Sequence, residues 1–232
     1  MQLEANSSIE SLKRRAQTAL ASRGRLVTSS GEVLDGAQTV TEAKLRSGDV
    51  LTLHVNQVQL KVTQDSRMDC SGMGPSAFAA ILCDGSVVTW GPADYGGDSS
   101  AVQEQLRDVQ QIQASHQAFA AIRSDGSVVT WGNARLGGDS SAVQEQLRSV
   151  QQIQASDGAF AAILGDGSVV TWGYEDYGGD SSAVQEQLRA VQQIQASVGA
   201  FAAILGDGSV VTWGYEDYGG DSSAVQALGL GF

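Results

Sequence analysis

The chain has 232 residues, of which 42% are hydrophobic, and its formal net charge is −12. This length allows one or two domains with a buried core, and no apolar run is long enough to cross a membrane. No signal-peptide pattern opens the chain, and the two cysteines, Cys70 and Cys83, match no zinc spacing. We therefore expect a soluble, intracellular protein without a structural disulfide and without direct membrane insertion.

The charges are unevenly divided along the chain. Residues 1–68 carry nine Lys or Arg and seven Asp or Glu, whereas residues 69–232 carry five Arg, no Lys and nineteen Asp or Glu. An acidic surface without lysine repels a phosphate backbone, so we expect no nucleic-acid partner for the second part. Two segments of different chemistry are joined in this chain.

Residues 1–60 show the pattern of a small α+β segment. Ser7 and Glu10 form a capping box, apolar residues follow at helical spacing, and Gly24 stands where a helix ends. The stretch "RLVTSSGEVLDG" predicts two short strands around a turn. Another turn, in "SGDVLTLHV", leads into a strand with the apolar residues Val50, Leu51, Leu53 and Val55.

This order of helix, hairpin, turn and strand resembles ubiquitin-like (β-grasp) domains. That family begins with a β-hairpin, whereas only "MQLEA" precedes the helix here. The resemblance therefore implies that the first strand is missing from this chain or supplied by another one. The chain continues through "NQVQLKVTQDS" without a Gly-Gly terminus, so ubiquitin-like conjugation is not expected. A small α+β domain with no role in ubiquitin pathways is the alternative interpretation.

The octapeptide "DGSVVTWG" occurs four times, at 84–91, 125–132, 166–173 and 207–214, with a period of 41 residues. A fixed period of this size predicts an array in which each unit buries its apolar face on its neighbours. In the second copy, "AFAAI" is short and continuously apolar, which is typical of a strand covered on both faces. The array therefore predicts repeated antiparallel hairpins.

Within the second copy, Asp125-Gly126 predicts a two-residue hairpin turn. In the returning strand "SVVTW", the alternation places Val129 and Trp131 on one face, and Val128 and Thr130 on the other. Gly132 follows the tryptophan and allows a sharp bend or the close approach of another segment. The corresponding turn glycines of the four copies are Gly85, Gly126, Gly167 and Gly208.

One tryptophan stands at the same place in every unit. Indole buries a large apolar area, and its N–H can bond to a carbonyl oxygen. The regular placement predicts a repeated core layer rather than a ligand-stacking surface. The predicted core residues are Trp90, Trp131, Trp172, Trp213, Phe78, Phe119, Phe160 and Phe201.

The stretch "GGDSSAVQEQLRSVQQIQAS" predicts a helix of about two or three turns, followed by a short strand that begins near Gln151. Ser141 and Gln144 form its capping box. The apolar residues at helical spacing are Val143, Leu147 and Val150.

The aspartate of this stretch allows two interpretations. A metal or anion loop is one, but the alternating Gly-x-Asp pattern of calcium-binding β-rolls is missing, so we favour helix-start residues. The aspartates concerned are Asp98, Asp139, Asp180 and Asp221.

The stretch "FAAILGDGSVVTWGYEDYGGD" resembles repeats of the regulator-of-chromosome-condensation family, which combine an apolar strand, an "xDGxVxxWG" hairpin and a Gly-rich turn. The resemblance implies β-propeller blades. That family usually closes seven longer units into a ring, so the four units here imply an open arc, a smaller ring or a partial chain. The family's Gly-His pair is replaced by "SHQAF", "SDGAF" and "SVGAF".

The resulting fold class is mainly β. We expect four propeller-like repeats with short helices in residues 77–232, a linker and first-blade lead-in in 61–76, and the β-grasp segment in 1–60. The tail contains the apolar residues Leu228, Leu230 and Phe232, which we expect to cover one end of the array or to contact a partner.

No recognisable catalytic, cofactor-binding or metal-binding motif is present. His54 lies in a predicted strand, and His116 lies in a turn, where we expect it to be solvated. Residues 158–185 and 199–226 are identical over 28 positions. Nearly identical units present the same side chains repeatedly, which suits an extended binding surface better than a catalytic site.

The residues between Gly132 and Gly138 of the second copy vary among units as "PADY", "NARL", "YEDY" and "YEDY". Variation on a constant frame is typical of binding loops. We expect a non-enzymatic interaction scaffold, or an accessory subunit of a larger protein assembly. The alternatives are a ubiquitin-pathway adaptor and a guanine-nucleotide exchange factor for a small GTPase. The predicted partner contacts are Tyr95, Arg135, Tyr174, Tyr177, Tyr215 and Tyr218.

Overall fold

The computed structural model describes residues 25–29, 32–34, 38–46, 49–54, 59–63 and 76–223. The chain divides into two compact units, 1–59 with 82–84, and 60–81 with 85–232. The predicted helix between Ser7 and Gly24, Cys70 and the apolar tail lie outside the described residues. Among the described residues, no helix has the length and apolar content needed to cross a bilayer.

The first unit contains a two-stranded antiparallel sheet. Strand β1 (Arg25–Thr28) pairs with β2 (Leu51–His54), with Arg25 opposite His54 and Thr28 opposite Leu51. Both strands were predicted and are confirmed. A small core lies beside them and contains Leu26, Leu34 and Val40. The ubiquitin-like assignment of this segment stays a prediction.

The second unit is built from four sheets, each with three strands, and the second strand in chain order is the central one in every sheet. Sheet 1 contains β3 (Gln59–Val62), β4 (Phe78–Ile81) and β5 (Val87–Trp90). Sheet 2 contains β6 (Val109–Ala114), β7 (Ala118–Arg123) and β8 (Val128–Gly132). Sheet 3 contains β9 (Val150–Ala155), β10 (Ala159–Leu164) and β11 (Val169–Gly173). Sheet 4 contains β12 (Val191–Ala196), β13 (Ala200–Leu205) and β14 (Val210–Gly214).

This mainly β architecture of repeated units confirms the predicted fold class. The stretch "AFAAI" forms the central strand, and residues 118–122 of β7 are all buried. The neighbouring strands are antiparallel, and Phe119 lies opposite Trp131 in the register of β7 and β8. The strand predicted near Gln151 is also confirmed as β9.

Three apolar clusters lie between consecutive sheets. The first cluster contains Ala79 and Val87 of sheet 1 together with Phe119, Val129 and Trp131 of sheet 2. Val128 belongs to the next cluster, where sheet 2 meets sheet 3. The predicted division of β8 into two faces is therefore confirmed for these residues. Each inner sheet uses one face for the unit before it and the other for the unit after it.

The hairpin loop differs from the predicted two-residue turn. Arg123 N–H donates to the carbonyl of Ser127 at 2.9 Å, and Gly126 N–H donates to that of Arg123 at 2.9 Å, so residues 124–126 form a three-residue loop. Gly126 alone in this loop has a positive φ, of 77°. Asp125 instead accepts the Ser127 N–H at 3.0 Å through its side chain. This bond stabilises the longer loop.

The predicted helix after "GGDSS" is wrong, because residues 141–146 form consecutive turns. Ser140 rather than Ser141 bonds to Gln144, since its hydroxyl donates to Gln144 Oε1 at 2.8 Å. The Gln144 amide in turn donates to the carbonyl of Val128 at 3.0 Å. This bond to the sheet replaces the helical capping box. The short helices of the second unit lie elsewhere, at Ala93–Tyr95, Ala134–Leu136, Glu175–Tyr177 and Glu216–Tyr218.

Candidate protein-interaction surface

The four short helices are 3-10 turns, and the predicted partner contacts lie in them or, for Tyr174 and Tyr215, directly before them. We call the four segments 92–95, 133–136, 174–177 and 215–218 the turn row. Every 3-10 turn ends at a glycine with left-handed backbone, such as Gly178 with φ of 90°. A constant backbone frame therefore carries a variable sequence.

In units 2 to 4, the 3-10 turn is tied to the loop that precedes its own central strand. The N–H of Tyr174 donates to the carbonyl of Gly158 at 2.8 Å. The hydroxyl of buried Ser156 donates to the carbonyl of Tyr177 at 2.8 Å, and Ser115 makes the corresponding bond to Leu136 at 2.9 Å. These buried serines were missed from the sequence, although they recur at the repeat period. The serine bond and the backbone bond together fix the two ends of the turn.

The next unit covers the glycine at the end of each of the first three turns. A Cβ placed on Gly96 would lie 2.7 Å from Phe119 Cδ2, so only glycine fits beneath that ring. The carbonyl of Gly96 accepts the indole N–H of Trp131 at 3.0 Å. The same bond joins Trp172 to Gly137 at 3.0 Å and Trp213 to Gly178 at 3.1 Å. We call this arrangement the Phe–Trp clamp.

The predicted core residues divide into two groups. The phenylalanine of units 2 to 4 is at most 1% exposed and the tryptophan at most 5%, and the two rings stack at 5.2 to 5.3 Å. Trp90 departs from this expectation, because 46% of it is exposed. It stacks on half-buried Phe78 at 5.2 Å.

Tyrosine rings pair within the third and the fourth segments of the turn row, and Gly199 lies between the two pairs. Tyr174 and Tyr177 have ring centroids 5.4 Å apart, and those of Tyr215 and Tyr218 are 5.6 Å apart. A Cβ on Gly199 would lie 2.9 Å from Tyr218 and 3.2 Å from Tyr177, so a larger residue there would displace these rings. Tyr215 and Tyr218 remain 45% and 46% exposed.

The Arg135 guanidinium lies 4.4 Å from the centroid of the Tyr174 ring in the next unit. One repeat later, Asp176 occupies the position of Arg135 and Tyr215 occupies the position of Tyr174. Asp176 and Tyr215 line one cavity of about 400 Å³ together with Tyr174, Tyr177, Asp217 and Tyr218. The cavity therefore combines aromatic rings with carboxylates.

Most charges in the turn row are negative. Arg135 is its basic residue, whereas Asp94, Glu175, Asp176, Glu216 and Asp217 are all exposed carboxylates. Such a surface attracts cationic groups.

The aspartates that follow the turn row accept backbone N–H groups. Asp139 Oδ1 accepts the N–H of Ser141 at 2.9 Å, and this bond lowers the pKa of Asp139. Asp98, Asp180 and Asp221 bond in the same way to the serine two residues later. Within the part of the chain that the structure describes, no three His, Cys, Asp or Glu side chains converge as a metal site would require. The aspartates begin turns rather than helices.

His116 is 8% exposed, which contradicts the expected solvated position. Its ring lies 6.0 Å from that of Tyr95, and its backbone N–H donates to the carbonyl of Asp157 at 2.8 Å. The neighbouring units thus cover this loop from both sides. The same loop is linked in the next pair of units, where Asp157 N–H donates to the carbonyl of Val198 at 2.9 Å.

No family model and no curated protein matches the chain. Among solved structures, human WBSCR16 is 18% identical, with 71% of this chain and 50% of that chain covered at a TM-score of 0.44. Prp20p from Saccharomyces cerevisiae, reported with its binding to Gsp1p and histones, is 13% identical, with coverages of 84% and 53% and a TM-score of 0.45. Yeast RCC1 (Prp20) bound to Kap60 is 13% identical, with coverages of 83% and 51% and a TM-score of 0.47. The chain spans about half the length of these structures.

Proposed function

We propose that this protein is a non-enzymatic scaffold whose turn row binds arginine-bearing segments of partner proteins. The observation that supports this function is the contact between the Arg135 guanidinium and the Tyr174 ring. At the corresponding position one unit later, Asp176 replaces the arginine beside Tyr215. A cation over an aromatic face is attracted by the quadrupole of the ring. A partner's arginine at Tyr215 would reproduce a contact that the chain makes internally.

The residue exchange between units favours an external arginine. Where Arg135 covers Tyr174, the next unit carries Asp176 in the same repeat position. An incoming guanidinium can stack on the exposed Tyr215 ring and pair with the Asp176 carboxylate. The nearby carboxylate of Asp217 adds to the attraction. Ring and carboxylate together favour arginine over lysine, because guanidinium is planar and forms paired hydrogen bonds.

A fluorescein-labelled peptide of alternating Gly and Arg tests this function by fluorescence anisotropy with the full chain. We expect it to bind more tightly than the matching Gly-Lys peptide, and to weaken as salt is added. Tyr215→Ala should weaken binding by about tenfold. Equal binding of the two peptides, or unchanged binding to Tyr215→Ala, would contradict the proposal.

Asp176→Arg provides the sharper variant. Its new side chain should cover Tyr215 as Arg135 covers Tyr174, and so block the peptide. Glu186→Arg is the matched control, because it makes the same change of charge at another exposed position. Asp176→Arg should remove peptide binding, whereas Glu186→Arg should only reduce it slightly. Equal losses in both variants would mean that net charge alone attracts the peptide.

A further inference from the structure

Every interface between consecutive sheets joins two distinct faces. The leading face of a sheet meets the unit before it, and in sheet 2 it contains Ile112, Phe119, Val129 and Trp131. The trailing face meets the unit after it, and in sheet 2 it contains Ala118, Ala120, Ile122 and Val128. The chain forms this pairing three times.

The leading face of sheet 1 carries corresponding apolar residues but is exposed. Val88 and Trp90 are 41% and 46% exposed, whereas their counterparts Val129 and Trp131 are 6% and 4% exposed. Thr63 N–H donates to the carbonyl of Ala77, and the corresponding bond in sheet 2 runs from Ser115 N–H to the carbonyl of Ala118. Leu60 and Ile112 each lie three residues before the donor, so Leu60 is the counterpart of Ile112. Leu60 is 55% exposed and Ile112 is 1% exposed.

The trailing face of sheet 4 is exposed in the same way. Ile204 is 38% exposed, whereas its counterparts Ile122 and Ile163 are 5% and 4% exposed. A Cβ on Gly178 would lie 2.5 Å from Phe201 Cδ2 of the following unit. At the corresponding Gly219, no atom of the described residues lies within 4 Å of such a Cβ. The position that receives the Phe–Trp clamp of a following unit is therefore open at Gly219.

We propose that the leading face of one copy of this chain docks on the trailing face of a second copy. This contact continues the interface that the chain forms three times, with matching residues on each side. Residues 199–226 repeat 158–185 identically, so sheet 4 presents the same side chains that sheet 3 presents to Phe201 and Trp213. In the assembly, the Trp90 indole N–H donates to the carbonyl of Gly219 in the second copy.

The two faces differ, so the contact is head-to-tail. A head-to-tail contact leaves one leading and one trailing face open, and it continues until a ring closes or a chain grows. Light scattering of the full chain should therefore give multiples of 24.1 kDa, with mass rising with concentration. A mass of one copy at every concentration would overturn the proposal.

Two variants block one face each. Trp90→Arg blocks the leading face and Ile204→Arg blocks the trailing face, so each alone should remain a single copy. Mixing them leaves one intact face on each partner and should produce a dimer. Assembly by either variant alone, or no dimer in the mixture, would overturn head-to-tail docking.

Controls separate docking from misfolding and from general loss of apolar surface. Val198→Ser removes an apolar side chain that is 42% exposed but lies on neither face, so its mass should match that of the unchanged protein. Circular dichroism checks that every variant is folded. If Trp90→Arg fails to fold, Val88→Lys replaces it, because Val88 lies on the same face.

Discussion

The indole N–H of Trp131 donates to the carbonyl oxygen of Gly96, 35 residues earlier in the chain, at 3.0 Å. This bond joins the core of one unit to the turn row of the unit before it. The tryptophan thus has two roles, since its ring fills the cluster between sheets while its N–H holds a neighbouring turn. This double contact explains the tryptophans of units 2 to 4.

Trp131→Ala should lower the free energy of unfolding by about 3–5 kcal/mol, because it removes a buried ring and leaves a cavity. Trp90→Ala is the matched control in the same repeat position. With Trp90 exposed, its loss should cost about 1 kcal/mol or less. Urea unfolding of both variants measures the difference, and equal costs would contradict the assigned burial.

Iodide should quench one of the four tryptophans strongly. Trp90 is 46% exposed, whereas Trp131, Trp172 and Trp213 are at most 5% exposed. In dilute protein, Trp90→Phe should remove most of the quenchable emission, and Trp172→Phe should remove almost none. A quenchable fraction that survives in Trp90→Phe would show that a second indole reaches solvent.

Acid should destabilise the fold through the hairpin aspartates. The Ser168 hydroxyl donates to Asp166 at 2.6 Å and lowers the pKa of that carboxyl, and Ser209 does the same to Asp207 at 2.7 Å. The unfolded chain therefore binds more protons as the pH falls through about 4. The stability from these bonds is present above that pH and is lost below it.

Asp→Asn changes at Asp125, Asp166 and Asp207 test this pH dependence. Asparagine keeps the accepting side-chain oxygen but does not titrate. The melting temperature should fall less between about pH 5 and about pH 3 in the triple variant than in the unchanged protein. Parallel curves for the two proteins would place the acid sensitivity elsewhere.

Ala190→Gly should stabilise the protein by about 0.5–1 kcal/mol. Ala190 has a left-handed backbone with φ of 52°, and the corresponding residues Ser149 and Asp108 have φ of 55°. Glycine adopts this conformation without strain. Exposed Ala142 has no positive φ, so Ala142→Gly should lower stability and serves as the control. Thermal unfolding should show a higher melting temperature for Ala190→Gly and a lower one for Ala142→Gly.

Strands and faces followed from local patterns in the sequence. The apolar run "AFAAI" and the alternation of Val129 and Trp131 depend on a period of two, which any strand of a layered array must satisfy. The repeat length then placed the same pattern in each unit. These features were predictable because every copy repeats the same local requirement.

The errors arose where distant residues decide the structure. Gln144 bonds to the carbonyl of Val128, and this tertiary contact replaced the helical cap that the local pattern predicted. Trp90 and Trp131 share one motif, yet Trp131 is buried in the cluster between sheets 1 and 2, whereas Trp90 is 46% exposed. His116 is buried by loops of two other units. No local pattern contains these contacts.

The candidate site was predicted in part. Variable tips located the turn row, but the Arg135 contact with Tyr174 depends on the offset between units, which the sequence does not contain. Guanine-nucleotide exchange and a role as a ubiquitin-pathway adaptor stay predictions. A fluorescent-nucleotide release assay tests the former, and a pull-down with ubiquitin-binding proteins tests the latter.

The direction of the Phe–Trp clamp has a thermodynamic consequence. Each of the first three turns is held by the following unit, so the turn that ends at Gly219 is the one that a second copy would hold. That turn also carries Tyr215 and Tyr218, the exposed rings proposed to bind arginine. Docking at Gly219 would order these rings in advance and lower the entropy lost when a partner binds. Self-association and partner binding would then strengthen each other by the same factor, as linkage requires.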